Sequence, residues 1–174
     1  MAKKLKLEDY IRSIPDFPRT GILFRDITTL LMDKKAFKQV IDEMVAKFKA
    51  KKIDAVVAVE SRGFIFGGAL AHKLGAGFVP VRKKGKLPWK TYSAEYALEY
   101  GVDALQIHQD ALGADDRVLI VDDLLATGGT AKAVTELVGK LGAKVAGILF
   151  MIELTGLKGR EQLKGYPVHT LIKY

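Results

Sequence analysis

The 174-residue chain contains no cysteine. This absence excludes a disulfide-stapled scaffold, catalysis by a thiol and a zinc site built on thiolates. Histidine is scarce, and His72, His108 and His169 do not have the spacing of metal ligands. A chain without cysteine is compatible with a reducing compartment, so we expect a cytoplasmic protein.

Long hydrophobic runs are also missing. The longest apolar stretches, such as Ala55–Val59 and Val118–Val121, fall far short of the ~18 residues that a membrane span requires. The opening MAKKLKLEDY is basic and then turns acidic at Glu8 and Asp9 without an apolar core. We therefore expect no secretory signal and no contact with a membrane.

What the sequence does have is the composition of a packed globular domain, with 49% hydrophobic and 28% charged residues. Lys and Arg outnumber Asp and Glu by 28 to 20, which gives a net charge of +8. This excess favours an anionic partner, either nucleic acid or a phosphate-rich small molecule. No repeat or linker divides the chain, so we expect a single domain over residues 1–174.

Apolar positions follow strand and helix patterns in turn. The predicted helices are Lys35–Lys49, Phe64–Leu74 and Thr130–Leu141, and the predicted strands are Asp54–Val59, Phe78–Val81, Val118–Val121, Val145–Ile152 and Val168–Ile172. Valine-rich runs such as Asp54–Val59 are typical of parallel strands covered on both faces. Gly75 and Gly142 follow two of the helices as stop signals. The alternation predicts an α/β fold, a parallel sheet with helices on both faces.

The segment Arg82–Asp110 interrupts this alternation. It opens with RKKGKLPWKTYS, a basic and polar stretch. A long polar connection inside a compact domain is usually functional or mobile, so we expect a flexible loop here. Some alternation within Ala97–His108 suggests a hairpin.

The most informative stretch is VLIVDDLLATGGT, which ends at Thr130. A strand predicted to end at Val121 is followed by two acids, a loop of small residues and a helix. The loop consists of Ala126, Thr127, Gly128, Gly129 and Thr130. Its backbone amides, its hydroxyls and the positive end of the following helix predict a pocket for a phosphate monoester. Ligands bind at this end of the strands in open α/β sheets.

The adjacent acids Asp122 and Asp123 would repel a phosphate unless they serve another group. A carboxylate can accept two hydrogen bonds from the vicinal diol of a ribose, and a hydrated Mg²⁺ is the other candidate. The competing interpretation is an ordinary strand-to-helix turn with a capping Asp. The whole string favours a ribose-5-phosphate site, with the diol on the acids and the phosphate on the glycine loop.

VLIVDDLLATGGT resembles the phosphoribosyl-pyrophosphate-binding motif of type I phosphoribosyltransferases, in particular of the members that use adenine. Further segments resemble that family in the same order: FPRTGILFRDIT, VESRGFIFG, RKKGKLP and ALEYG. The resemblance therefore covers nearly the whole chain. It implies a twisted, mainly parallel sheet flanked by helices, with a small N-terminal hood in residues 1–33 and a flexible active-site loop in residues 82–110.

The resemblance also implies a reaction, in which adenine and phosphoribosyl pyrophosphate give AMP and pyrophosphate. The implied cofactor is Mg²⁺, held mainly by the pyrophosphate and ribose of the substrate, with Asp122 and Asp123 reaching it through water. The resemblance implies a homodimer. We expect no nucleic-acid partner, because the sequence shows no helix-turn-helix extension and no second domain.

Residue roles follow from the matching segments. Glu60, Ser61 and Arg62 resemble the pyrophosphate loop, and Lys86 resembles a second pyrophosphate contact. Leu23, Phe24 and Arg25 resemble the adenine pocket, where the base would stack on Phe24 with Leu125 on its opposite face. Glu99 and Tyr100 match the catalytic pair of the loop, and Arg62 is the third predicted catalytic residue.

Three alternatives are weighed against this assignment. Members of the wider fold that use 6-oxopurines generally carry an Asp where this chain has Ala126, which favours adenine and leaves proton handling to Glu99. A transferase for another purine base is the nearest alternative, and a regulator that senses phosphoribosyl pyrophosphate is the next. A dinucleotide-binding enzyme is rejected, because the glycine loop lacks the G-x-G-x-x-G spacing.

Overall fold

A computed structural model of the chain describes residues 4–98 and 101–174. The chain folds into two compact units, Met1–Glu43 and Met44–Tyr174. The assignment of residues 1–174 to one domain, with a hood in residues 1–33, stays a prediction.

The N-terminal unit is built around a small antiparallel hairpin. Its elements are a 3₁₀ helix Leu7–Tyr10, strands β1 (Arg12–Ile14) and β2 (Phe24–Asp26), helix α1 (Thr28–Met32) and the start of helix α2 (Lys34–Phe48). Gly21 allows the loop between the strands to turn, because its φ of +84° is in the left-handed region. Asp33 caps α2 by accepting hydrogen bonds from the amides of Lys35 and Ala36 at 2.9 and 2.8 Å.

The C-terminal unit contains a seven-stranded sheet in the order β5-β6-β4-β3-β7-β8-β9. Its elements are β3 (Ala55–Val59), α3 (Arg62–Leu74), β4 (Gly77–Lys83), β5 (Thr91–Leu98), β6 (Gly101–His108), β7 (Arg117–Leu125), α4 (Gly129–Lys140), β8 (Lys144–Glu153), 3₁₀ helices Thr155–Leu157 and Gly159–Leu163, and β9 (Val168–Lys173). Strands β4, β3, β7, β8 and β9 are parallel. The predicted α/β fold with a mainly parallel sheet and flanking helices is confirmed.

The core explains why these elements form where the sequence places them. Every residue of β3 is buried, as expected of a valine-rich strand covered on both faces. Helix α4 buries Val134, Leu137 and Val138 completely. Helix α3 packs closely on β3 because Gly67 lies against Ala58, where an added Cβ would come within 2.5 Å of the Ala58 Cβ.

The prediction of a polar connection over Arg82–Asp110 is wrong for most of its length. Strand β4 continues to Lys83, and β5 and β6 form an antiparallel hairpin that begins at Thr91, earlier than the predicted Ala97. Ala94 is buried and Tyr96 half-buried against the core cluster that includes α4. Because the buried positions hold a small and an amphipathic residue, this two-residue period is hard to see in the sequence. The flexibility of the segment stays a prediction.

The predicted end of strand β7 at Val121 is also wrong. The strand runs to Leu125, because β8 continues alongside it and pairs Leu124 with Ile152 and Leu125 with Glu153. The two acids therefore lie within a paired strand rather than in a loop. Among residues 4–98 and 101–174, no helix is both long and apolar enough to cross a bilayer.

Candidate active site

A cavity of about 700 Å³ lies at the carboxyl ends of β3, β4 and β7 in the C-terminal unit. This is the edge where open α/β sheets bind ligands. The predicted site residues that line it are Glu60, Ser61, Arg62, Lys86, Asp122, Asp123, Leu125, Ala126, Thr127, Gly128 and Thr130. Segments far apart in the sequence are thus brought to one place by the topology of the sheet.

The acid pair forms the electrostatic centre of this cavity. Asp123 is 7% exposed and accepts a hydrogen bond from Nε of Arg62, the first residue of α3. Oδ1 of Asp122 accepts a hydrogen bond from the Asp123 amide at 2.9 Å. Burial, and after it the negative charge of Asp123, raises the pKa of Asp122 well above its usual range. The fold thus holds two neighbouring carboxyl groups together and pairs one of them with the Arg62 guanidinium.

Gly63 allows helix α3 to approach this pair. A Cβ at that position would lie 2.9 Å from Oδ1 of Asp122 and 3.2 Å from the carbonyl oxygen of Val121. Any side chain would push the start of α3, and with it Arg62, away from the acids. The glycine in the sequence SRGF is therefore required by a close approach to β7.

Glu60 lines the cavity but is already committed to neighbouring groups. Oε2 accepts hydrogen bonds from Nη2 and Nε of Arg82 at 2.9 and 3.2 Å, and Oε1 accepts one from the Lys83 amide at 2.7 Å. Partial burial acts to raise the pKa of Glu60, but the hydrogen bonds from Lys83 and Arg82 outweigh it and lower the pKa. Glu60 therefore ties the end of β3 to the end of β4. Its predicted contact with substrate stays a prediction.

The loop of small residues leads from β7 into α4. Gly128 precedes the helix with a φ of +88°, and its carbonyl oxygen accepts a hydrogen bond from the Lys132 amide at 3.0 Å. The amides of a first helical turn have no partner within the helix, so they are available to an anion. A second cavity of about 640 Å³ shares Ala126, Thr127 and Thr130 with the first, and Gly129 lines this second one.

A cluster on the β4–β6 side of the cavity was not predicted from the sequence. Nζ of Lys83 lies 3.0 Å from Oδ2 of Asp103, which also accepts a hydrogen bond from the hydroxyl of Tyr96 at 3.3 Å. The Asp103 carboxylate raises the pKa of Lys83, and the Lys83 ammonium lowers that of Asp103. Lys83 and Tyr96 both line the cavity. In the sequence, Lys83 is one lysine of a basic run, with no signal that separates it from its neighbours.

Comparison with known proteins agrees with this geometry. A family model described as "Phosphoribosyl transferase domain" matches residues 28–171. The chain belongs to this family. This phosphoribosyl transferase is 59% identical over 170 residues to the adenine phosphoribosyltransferase of Brachyspira hyodysenteriae, covering 98% of this chain and 100% of that protein.

Solved structures give the same result. The crystal structure of adenine phosphoribosyltransferase from Thermoanaerobacter pseudethanolicus matches with a TM-score of 0.95 and 53% identity, covering 97% of this chain and 98% of that one. The Saccharomyces cerevisiae enzyme, complexed with adenine and an imino-altritol bisphosphate, matches with a TM-score of 0.90 and 45% identity, covering 95% and 96%.

The predicted base-binding residues of this phosphoribosyl transferase lie in its N-terminal unit. Phe24 packs edge-on against Phe17, with ring centroids 5.1 Å apart. Nη1 of Arg25 donates a hydrogen bond to the Ser13 hydroxyl at 2.6 Å. Leu23 is 47% exposed. Their contact with a purine stays a prediction, as does the stacking role of Leu125. Glu99 and Tyr100 lie outside the residues that the structure describes.

Proposed function

We propose that this chain transfers the 5-phosphoribosyl group of phosphoribosyl pyrophosphate to adenine, forming AMP and pyrophosphate in purine salvage. The observation that carries the proposal is one cavity lined by both the acid pair of β7 and the small-residue loop before α4. The identity to adenine phosphoribosyltransferases over nearly the whole chain supports the same reaction.

In this proposal the loop Ala126–Thr130 binds the 5-phosphate. The amides at the start of α4 donate to its oxygens, and the hydroxyls of Thr127 and Thr130 add to them. Asp122 and Asp123 accept hydrogen bonds from the ribose hydroxyls. The sugar is thereby held at two points, which fixes the anomeric carbon relative to an incoming base.

The pyrophosphate end is assigned to the start of α3 and the end of β4. Arg62, Lys86 and the backbone near Ser61 would hold the leaving group and neutralise its charge as the bond to ribose breaks. The ribose passes through an oxocarbenium-like state. Closure of residues 82–110 would exclude water, which otherwise hydrolyses the activated sugar.

The base end is assigned to Leu23, Phe24 and Arg25, together with Glu99 and Tyr100. Phe24 would stack on the base, and backbone groups near Leu23 and Arg25 would read its edge. Glu99, with Tyr100 beside it, would take or move the purine proton during attack by N9. Ala126 supplies no carboxylate to the base, which supports adenine as the substrate.

The residues present fit a magnesium ion. Among the residues that the structure describes, no group of three or more potential ligands is gathered as a metal site. Of the carboxylates that line the cavity, Glu60 is held by Arg82 and Lys83, so the available donors are Asp122 and Asp123. This suits Mg²⁺, which keeps several waters and is held by one or two carboxylates together with substrate phosphates. When bound, the ion neutralises negative charge on the departing pyrophosphate. Asp122 and Asp123 would reach it through water.

We further propose that the enzyme acts in the cytoplasm as a homodimer. Ile65 on α3 and Phe78 on β4 are each 40% exposed, and these neighbouring elements provide apolar surface for a second copy. The lack of cysteine is compatible with a reducing compartment.

The test is product analysis with purified protein. Supplied with phosphoribosyl pyrophosphate, Mg²⁺ and a panel of adenine, hypoxanthine, guanine and xanthine, the protein should release pyrophosphate and form AMP with adenine in preference to the other bases. Faster turnover of another base would indicate the alternative transferase. Binding of phosphoribosyl pyrophosphate without turnover of any base would indicate a sensing regulator.

A further inference from the structure

The backbone behind the phosphate loop is interlocked with the 3₁₀ helix Gly159–Leu163. A Cβ added to Gly159 would lie 2.2 Å from the carbonyl oxygen of Ala126, and one added to Gly128 would lie 2.4 Å from the carbonyl oxygen of Gly159. Neither glycine therefore has space for a side chain. A shift of Gly159 must move the loop.

Arg160, the next residue, is held in a bidentate ion pair. Its Nε donates to Oε1 of Glu153 at 2.6 Å and its Nη2 donates to Oε2 at 2.8 Å. Nη1 donates to the carbonyl oxygen of Val168 at 3.0 Å, and the hydroxyl of Thr170 donates to Oε2 of Glu153 at 3.0 Å. The guanidinium is thus fixed in position and orientation, as a bidentate arginine allows.

Glu153 anchors this pair to the same strand end that carries the loop. It is 5% exposed, ends β8, and pairs in register with Leu125, the last residue of β7. The hydrogen bond from Arg160 lowers the pKa of Glu153. Glu153, Arg160 and Thr170 are not among the residues that line the two cavities above. The ion pair therefore contributes no side chain to either cavity.

We propose that the Arg160–Glu153 pair is a positioning device for the phosphate-binding loop. It fixes Gly159, and Gly159 fixes the carbonyl of Ala126 and the turn at Gly128, so that the amides before α4 point at the 5-phosphate. This inference rests on the proposed function. Positioning matters because a displacement of about 1 Å at a binding constellation can cost about 10²-fold.

The test compares a nucleotide with the nucleoside that lacks its 5′-phosphate. Kd values for AMP and for adenosine are measured by calorimetry on Arg160→Lys and Glu153→Gln, which keep size and polarity but lose the bidentate pair. We expect the Kd for AMP to rise about 10- to 100-fold, with the Kd for adenosine unchanged. KM for phosphoribosyl pyrophosphate should rise in parallel, and KM for adenine should not.

A matched glycine pair tests the backbone contact directly. Gly159→Ala places its methyl against Ala126 and should weaken the binding of AMP but not that of adenosine. Gly156→Ala, in the preceding 3₁₀ helix, has no atom within 4 Å of its added Cβ and should leave both affinities unchanged. If Gly159→Ala fails to fold, Arg160→Lys still decides the question.

Two outcomes would overturn the proposal. One is a lower Tm for Arg160→Lys with the affinity for AMP unchanged, which would make the pair purely structural. The other is an equal loss of affinity for AMP and for adenosine. The proposed function is judged separately, by whether the wild-type protein forms AMP.

Discussion

Among single residues, Asp122 shows the clearest conflict between stability and binding. Its carboxyl group is partly buried beside a second carboxylate, and the Arg62 guanidinium that pairs with Asp123 relieves only part of the cost of ionising it. A folded pKa raised above the unfolded value means that the native state resists ionisation of this group. Selection for stability alone would not retain this pair of carboxyl groups.

Asp122→Asn should therefore raise the Tm at neutral pH. Because the folded pKa is raised, ionisation lowers stability as the pH rises from the unfolded pKa of about 3.9 toward the folded value. The gain should vanish below about pH 4, where the wild-type carboxyl is protonated in both states. Each 1 kcal/mol gained corresponds to a rise of about 2–4 °C. Thermal melts across pH check this.

Asp123→Asn is the matched control. It removes the ion pair with Arg62 together with the repulsion of Asp122, so its gain in Tm should be smaller. A lower Tm for Asp122→Asn at neutral pH would contradict the account of the acid pair.

Glu99 is predicted to move the purine proton. Glu99→Gln should lower kcat with adenine by about 10²–10⁴-fold, because this is the usual contribution of a positioned acid or base. The same variant should weaken the binding of phosphoribosyl pyrophosphate much less. Steady-state kinetics with each substrate varied in turn separates the two effects. Wild-type turnover in this variant would remove Glu99 from the catalytic residues.

Residue identities in the site were predictable only where the signal is local. Asp122, Asp123 and the glycine loop are consecutive in the chain, so their chemistry is visible in one string. Gly159 and Arg160 lie near the same loop because the pairing of β7 with β8 brings distant parts of the chain together. Nothing in their own neighbourhood marks them. Lys83 was not predicted for a different reason, because nothing in a basic run indicates which lysine contacts Asp103.

At the level of elements, helix α3 is the part of the fold that carries Arg62 to the acids. Its closeness to β3 depends on Gly67, whereas the adjacent Gly68 has no atom within 4 Å of an added Cβ. These neighbouring glycines provide a matched pair on one helix.

Gly67→Ala should destabilise the protein by about 1–3 kcal/mol, because the new methyl overpacks against Ala58 and Phe78. The displaced helix should also raise KM for pyrophosphate in the reverse reaction. Gly68→Ala should stabilise by about 0.5–1 kcal/mol, because alanine loses less backbone entropy in a helix. Denaturant unfolding of the two variants measures both effects, and equal stability of the two would contradict the packing described here.

Elements were predictable where the apolar period is strong. The valines of β3 and the stripe of α4 specify a strand and a helix unambiguously, and both are confirmed. Strand β6 lies within the segment where a hairpin was expected, whereas most of β5 was missed because its buried residues, such as Ala94 and Tyr96, are small or amphipathic. The end of β7 was missed because a strand continues as long as a neighbour continues to pair with it, which is a tertiary property.

For the molecule as a whole, the net charge of +8 has a kinetic consequence. A cationic surface attracts an anionic substrate over distances comparable to the Debye length, which falls from about 30 Å at about 0.01 M salt to about 3 Å at about 1 M. KM for phosphoribosyl pyrophosphate should therefore rise with NaCl concentration, while KM for uncharged adenine should change little. Equal salt dependence for the two substrates would exclude this steering.

The central claim is that the end of β7 and the loop after it bind the diol and the phosphate of one sugar together. The most direct test is the rate of AMP formation and the Kd for AMP in the double variant Asp122→Asn, Asp123→Asn, with circular dichroism to verify its fold. We predict that product formation falls by about 10²-fold or more and that AMP binds more weakly, since the carboxylates that orient the ribose are gone. Wild-type rate and affinity in the folded double variant would contradict the account.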